Sequence, residues 1–411
     1  MSPLPSVPAA LDPRDPAFVA NPYPAYAHLR ALGPAVTWDA LGLTCFTRHA
    51  EVNALLRDRR FGRQVLHLTT REALGWPPPA AHLAHFDAFE AHSLLELEPP
   101  AHTRLRALVT PPFVPRAVAA LEPRIEALAH TLIDGFAARG SGDLLTLFAQ
   151  HLPVLVIAGM LGVDTAMVPQ LLAWSHDMVA IYQVRRDRGI EDRAERATQQ
   201  FVAWMRTQVT ERRAAPAHDV LSQLVTARDT TGDTLSDDEI ITTAILLLNA
   251  GHEATVHAIG NGVAALLGAR ADGVRVFLEA PVTTAEEMLR FDAPLHLFTR
   301  YALEDVTVGG RRFAMGEQIA LLLGSANRDG TCFARADDFD AQRHPNPHVA
   351  FGAGRHACLG APLARLELRT AVRVLFERLP SLQLDGAPTV ADTWHFRGHS
   401  AVPVRWTPAT A

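Results

Sequence analysis

Along most of the chain, apolar residues recur at intervals of three and four, the spacing of amphipathic helices. Between Leu121 and Gly268 this reads as successive helices joined by short polar loops. Strand signals are short and lie towards both ends. Ala35–Trp38 and Leu43–Thr47 predict a hairpin around Asp39–Gly42. A second β region runs through Asp305–Val308, the turn Gly309–Gly310, Arg311–Ala314 and Gln318–Leu323, and a last strand through Ala401–Trp406. The clearest helix begins at Ser236-Asp-Asp-Glu239, a capping box in which serine takes an orphan amide and Glu239 reaches back. Two acids in its first turn suit the positive end of the dipole. It continues to Gly268, long enough to cross a whole molecule. The fold class is therefore mainly α with small β regions.

Composition narrows the reading. The chain has 411 residues, 48% of them hydrophobic and 20% charged, which is ordinary globular composition. Such a length commonly divides into two domains. No linker, charge block or repeat offers a cut point, so residues 1–411 read as one large domain with an irregular segment at 1–20. That segment is rich in proline and lacks the apolar run of a signal peptide or membrane anchor. The longest apolar region, Ile240 to Ala250, is broken by Thr242, Thr243 and Asn249, as in a buried helix. A cytoplasmic protein without a membrane partner is expected. The net charge of −6 argues against nucleic acid as partner. There is no lysine, which excludes a Schiff-base lysine and a Walker-type phosphate loop.

The chemistry centres on one cysteine. Cys45, Cys332 and Cys358 lie far apart and form neither a disulfide framework nor a CxxC zinc pattern. Cys45 and Cys332 read as small hydrophobes. Cys358 stands just before a helix marked by Leu368, Val372, Leu375 and Leu379, with Pro362 in its first turn. Backbone donors and the helix dipole there favour a thiolate. Gly352, Gly354 and Gly360 let a flat cofactor approach the backbone. Gly352-x-Gly354-x-x-Ala357 also fits a loose dinucleotide fingerprint, but the preceding NPHVAF is a poor central strand.

The stretch FGAGRHACLGAPLARLE at 351–367 resembles the cytochrome P450 haem-binding signature FxxGxxxCxG, with Phe351, Gly354, Cys358 and Gly360 in register. The resemblance extends from PYPAYAHLRALGP near the N-terminus to SAVPVRW near the C-terminus. It implies the P450 fold, a large helical part plus a minor β-rich part. It also implies haem b as cofactor, with Cys358 as iron ligand and Phe351 and Gly352 beside it. Glu287-Met-Leu-Arg290 is the one ExxR in the chain. By resemblance it is joined by Arg343 in a structural brace. EPPAHTRLR resembles the family helix that holds a haem propionate, which gives His102 and Arg106 that role; Arg300 and His356 complete the set by the same resemblance.

Ala250-Gly251-His252-Glu253-Ala254-Thr255 resembles the oxygen-binding motif [AG]Gx[DE]T[TS], with Ala250 and Gly251 at the haem. The usual threonine is replaced by Ala254, and a hydroxyl follows at Thr255, about 100° further round the helix. Two readings stay open: Glu253 gates protons while Thr255 or the substrate organises water, or Thr255 only back-bonds to a helix carbonyl. His252 is expected to pack in the core.

The family activity implied is a monooxygenase placing one oxygen atom of O2 in a hydrophobic molecule such as a terpenoid, polyketide, fatty acyl or steroid-like compound of secondary metabolism. The pocket would draw on Val65–Leu95, Trp174–Gln183, Leu246–Ala250, Leu295–Phe298 and Trp394–His399. Electrons would come from ferredoxin and ferredoxin reductase, docking a monomer through Arg104, Arg355, Arg365 and Arg369. Other readings are a peroxygenase or reductase on the same fold, a haem-thiolate sensor, and a helical scaffold without haem.

Overall fold

The computed structural model describes residues 4–7, 11–183, 186–229 and 232–408. Parts of the irregular segment expected at 1–20 lie outside these residues. Helices dominate and small sheets accompany them, which matches the expected class.

The helical part is organised around Asp237–Ala269, a helix of 33 residues, about 50 Å long at ~1.5 Å per residue. Its start follows the capping box: the Glu239 amide donates to the Ser236 hydroxyl at 3.2 Å, and the Ser236 amide donates to the Glu239 carboxylate at 2.8 Å. Ile240, Ile245, Leu248, Ile259, Val263 and Leu266 are buried on several faces of this helix. A helix apolar around its circumference is a core element rather than a surface one. It packs against Leu152–Leu161, Arg188–Ala214, Pro281–Phe291 and Ala361–Arg378.

The β-rich part holds a six-stranded sheet in the order Ser6–Val7, Ala35–Trp38, Leu43–Phe46, Gln318–Leu321, Phe298–Ala302, Phe61–Gly62. The predicted hairpin forms, with Ala35 opposite Phe46 and Trp38 opposite Leu43. Leu43–Phe46 then pairs in parallel with Gln318–Leu321, Cys45 lying opposite Ala320. Phe298–Ala302 runs antiparallel beside it and places Arg300 opposite Ile319. This strand had no counterpart in the sequence reading. The ribbon Val306–Val308/Arg311–Phe313 forms as expected around Gly309 and Gly310, both at positive φ. The last predicted strand is divided into His399–Ala401 and Pro403–Arg405, in different sheets.

Two features tie the parts together. Phe18, Trp38 and Trp394 form an aromatic cluster with ring centroids 5.6–5.7 Å apart, and the Trp394 indole donates to the Tyr26 hydroxyl at 2.6 Å. The other is Glu287, whose carboxylate is fully buried. It accepts two hydrogen bonds of 2.7 Å from Arg290, one of 3.0 Å from Arg343 and one of 2.8 Å from the Asp340 amide. Arg290 spends its remaining donors on the carbonyls of Asn327, Ala336 and Asp338. Asn327 in turn accepts from the Val349 amide at 2.8 Å, so the brace reaches the loop before Cys358. Among the described residues no helix is long and apolar enough to cross a membrane.

Candidate cofactor and active site

Cys358 leads into the helix Ala361–Arg378, with Pro362 in its first turn. The loop before it is tightly shaped. Gly352 and Gly354 adopt φ of 64° and 72°, a region that side chains with a Cβ rarely occupy. A Cβ on Gly354 would stand 2.5 Å from the carbonyl oxygen of Leu56, so glycine lets this loop lie on the helix His49–Arg57. The Cys358 amide donates to the Phe351 carbonyl at 2.9 Å and closes the loop.

The Cys358 side chain is not covered by its neighbours, yet the surrounding protein desolvates it. It therefore faces an interior space. Burial raises its thiol above the ordinary value. Amides of Gly360 and Ala361 and the guanidinium groups of Arg106 and Arg365 oppose this without overcoming it. The amides and cations favour the thiolate, as expected, but by themselves do not offset the burial. A metal cation at the sulfur would, since a coordinating thiol is deprotonated by the ion's own charge.

Four basic side chains gather nearby from three elements. His102 and Arg106 share the helix Ala101–Val109, Arg300 comes from the central sheet, and His356 from the cysteine loop. The His102 and His356 rings are 4.5 Å apart. His102 is buried, its Nε2 has no hydrogen-bond partner, and burial with its cationic neighbours lowers its imidazole to about 4. Arg300 is 3% exposed. Its sole hydrogen bond among the described residues goes to the Thr299 carbonyl at 2.8 Å, with no carboxylate paired to it. Burial lowers its guanidinium to about 9. A buried cation without an anion costs several kcal/mol, so the cluster suits an anionic group. The donor set, the glycine-shaped loop and the uncovered, inward-facing sulfur together fit a haem with two carboxylate arms.

One member of this site was not anticipated. Glu98 is buried and accepts from His356 at 2.8 Å, Arg355 at 2.9 Å and the Arg63 amide at 2.7 Å. It opens the EPP of the motif that singled out His102. An acid there carried no signal until the fold placed His356 against it.

The long helix supplies the oxygen-side motif. Gly251 lies where it packs on Leu152–Leu161, since a Cβ there would come within 3.3 Å of Ile157, while Ala250 beside it is exposed. Burial raises the Glu253 carboxyl to about 7, and its Oε2 lacks a partner. Thr255 is directed elsewhere. Its hydroxyl back-bonds to the Gly251 carbonyl at 3.3 Å, and its other polar neighbour is Glu367 on the cysteine helix. Two residues rotate the helix by about 200°, so Glu253 and Thr255 occupy opposite faces. The back-bond named in the second of the two sequence readings is present. Glu367, missed in the sequence, is fully buried; Thr255 is the one polar side chain that acts on it, no well-formed hydrogen bond reaches either oxygen, and burial raises it well above the ordinary range. His252 is buried in the core as expected, its Nδ1 2.9 Å from the Leu248 carbonyl.

A family profile described as Cytochrome P450 matches residues 281–388. Mycinamicin IV hydroxylase/epoxidase of Micromonospora griseorubida is 39% identical over 370 residues, 88% of each chain. Cytochrome P450 monooxygenase PikC of Streptomyces venezuelae is 34% identical over 409 residues, 95% of this chain and 92% of that one. Among solved structures, P450BioI in complex with an acyl carrier protein bearing hexadec-9Z-enoic acid superposes with a TM-score of 0.88 at 32% identity, covering 95% of this chain and 99% of that one.

Proposed function

The chain belongs to the cytochrome P450 family, and on that premise we propose that Cys358 is the thiolate ligand of its haem iron, with His102, Arg106, Arg300 and His356 holding the propionates. The enzyme is a P450 monooxygenase, an oxidoreductase that incorporates oxygen from O2, and its cofactor is haem. Haem bound through a thiolate supplies the activation of dioxygen, since the sulfur's electron density favours O–O cleavage. The observation that carries the assignment is the pairing of a desolvated, inward-facing Cys358 with the unpaired buried cation Arg300.

The chain's own residues have distinct tasks in this reading. Arg300 and Arg106 supply charge to carboxylates, and His102 supplies the donor that now lacks a partner. Glu98 orients His356. Glu253 holds a proton at its carboxyl near neutral pH. Thr255 shapes the helix groove by its bond to Gly251, and Glu367 is its one route to further proton handling. Phe351 and Gly352 would flank the cofactor on the cysteine side, and Ala250 and Gly251 on the other.

The substrate is a hydrophobic small molecule of polyketide or fatty acyl type. Leu246, Leu247, Leu295, Leu297 and Phe298 in the expected pocket segments support this, as do the relatives' named substrates. Electrons come from an external ferredoxin. The arginines expected to dock it are already engaged: Arg104 with Glu239 and Asp233, Arg355 with Glu98, Arg365 with Glu286 and Arg369 with Glu122. Any docking charge must come from elsewhere or from rearranged pairs. The aromatic cluster that joins Phe18 and Trp394 supports a single domain over 1–411.

The test is the reduced, carbon-monoxide-bound spectrum of the wild type and Cys358→Ser. A long-wavelength Soret band in the wild type alone is expected. The same band in Cys358→Ser overturns the ligand assignment.

A further inference from the structure

The long helix carries more titratable side chains around Glu253 than an oxygen-side acid requires. His257 stands four residues beyond Glu253, so the two share a helix face. The Glu253 Oε2 and the His257 Nδ1 are both buried and lack hydrogen-bond partners. A third orphan, the His252 Nε2, lies on the same stretch of helix. Buried polar atoms are normally satisfied, and three without partners within two turns of helix call for an explanation.

The histidines line up towards the surface. His176, on the helix Val168–Val179, is exposed, and its ring centroid is 5.8 Å from that of His252. His252 and His176 in turn act electrostatically on His257, as does His399 of the C-terminal hairpin. The hairpin presses closely on the ring: a Cβ on Gly398 would stand 1.9 Å from the His257 Nδ1, so only glycine leaves room for the imidazole. His399 bonds Asn261, one turn beyond His257, at 3.0 Å.

The two helix histidines are not equivalent. The His252 Nδ1 faces the Leu248 carbonyl, which only accepts, so that nitrogen carries the proton and the tautomer is fixed. Such a ring can take up and give back a proton only at Nε2, the nitrogen without a partner. His257 has no hydrogen bond at either nitrogen among the described residues. It can therefore take a proton on one nitrogen and release one from the other.

We propose that His257 is the relay that hands solvent protons to Glu253, along a route that opens at His176. A proton enters one ring nitrogen of His257 and leaves from the other to a carboxylate oxygen of Glu253; no electrons move. His257 acts through Glu253 and is a positioning residue. The proposal rests on Glu253 being the proton-bearing acid of the oxygen side. The groups that act on His257 are His252 from its own helix, His176 from Val168–Val179 and His399 from the hairpin, and Glu253 stands one turn before it on the same helix face. Asp177, the neighbour of His176, is paired with Arg193 at 3.4 Å. Burial, followed by these imidazoles, lowers His257 to about 4, which keeps the ring neutral between transfers.

The experiment follows the Glu253 carboxyl band by infrared spectroscopy in haem-loaded protein mixed into D2O, the band being identified by its loss in Glu253→Gln. Exchange of its proton for deuterium is expected to slow tenfold or more in His257→Leu and several-fold in His176→Leu. It should stay unchanged in His151→Gln, an exposed histidine elsewhere. If His257→Leu fails to load haem, His257→Asn gives the same comparison. Substrate-free, ferredoxin-driven oxygen consumption is followed alongside, and its pH profile should shift in His257→Leu but not further in the double variant with Glu253→Gln. An unchanged exchange rate in His257→Leu, with a profile altered by Glu253→Gln, overturns the relay alone. A profile that ignores Glu253→Gln overturns both the role of Glu253 and the relay.

Discussion

Glu287 and Arg290 meet through two parallel hydrogen bonds of 2.7 Å, and neither side chain is reached by solvent. Removing one partner strands the other charge in the interior, at a cost of about 3–5 kcal/mol. Arg290→Leu should therefore yield little soluble, haem-loaded protein. Arg343→Leu, which removes one of two arginines from the carboxylate, should cost less. Thermal unfolding and haem absorbance of the purified variants check the order.

Arg300 differs in the opposite sense, because its charge has no partner within the described chain. Arg300→Leu should leave the apoprotein as stable or more stable, while haem affinity falls tenfold or more. His102→Phe should weaken haem retention by a smaller factor. Competition for haem with apomyoglobin measures both.

The raised Glu253 carboxyl makes a pH prediction whose sign is fixed. Its folded value, about 7, lies above the ordinary carboxylate value of 4.5, so between these the folded state binds the extra proton. Its contribution to stability is thus most favourable below about 4.5 and is lost as the pH rises through 7. Glu253→Gln should flatten that part of the stability profile and gain relative to wild type above pH 7. Denaturant unfolding at pH 5 and pH 8 is the measurement.

Glu367 is buried, and burial raises its carboxyl well above the ordinary range. Glu367→Gln, a neutral isostere, should fold and load haem almost as wild type. If Thr255 serves only to close the groove through Gly251, then Thr255→Val should also leave product yield per electron pair within about twofold. A larger loss shared by Thr255→Val and Glu367→Gln would place both in proton handling.

Gly354→Ala should be among the most damaging single-methyl additions, because the new carbon would stand 2.5 Å from the Leu56 carbonyl at a φ that alanine rarely adopts. Loss of the carbon-monoxide Soret band at normal expression would show that the cysteine loop has moved.

Much of this was legible in the chain itself wherever a local pattern carries its own mechanism. Ser236 and Glu239 announce a helix start at a distance of three residues. Gly309–Gly310 announces a turn, and the glycines about Cys358 announce a close approach. What stayed hidden depends on pairing across the chain. Phe298–Ala302 is a strand because Gln318–Leu321 lies beside it, and its Phe-Thr-Arg-Tyr-Ala sequence fits a loop as well. Glu98 and Glu367 are single acids whose importance rests on His356 and Thr255, residues far from them in the chain. At Cys358 the local dipoles are visible in sequence, whereas the depth of burial that opposes them is not.

The cluster of Phe18, Tyr26, Trp38 and Trp394 also says something about how the molecule comes into being. Tyr26 and Trp394 are 368 residues apart. At a synthesis rate of ~5–20 residues per second, the early aromatic face waits roughly 20–70 s for its last partner. During that time its side chains are open to wrong partners. A contact closed so late in synthesis makes the fold slow to complete and intolerant of premature stops. A nascent chain halted just before Trp394, with every haem-binding residue already made, would still lack the piece that shuts the molecule.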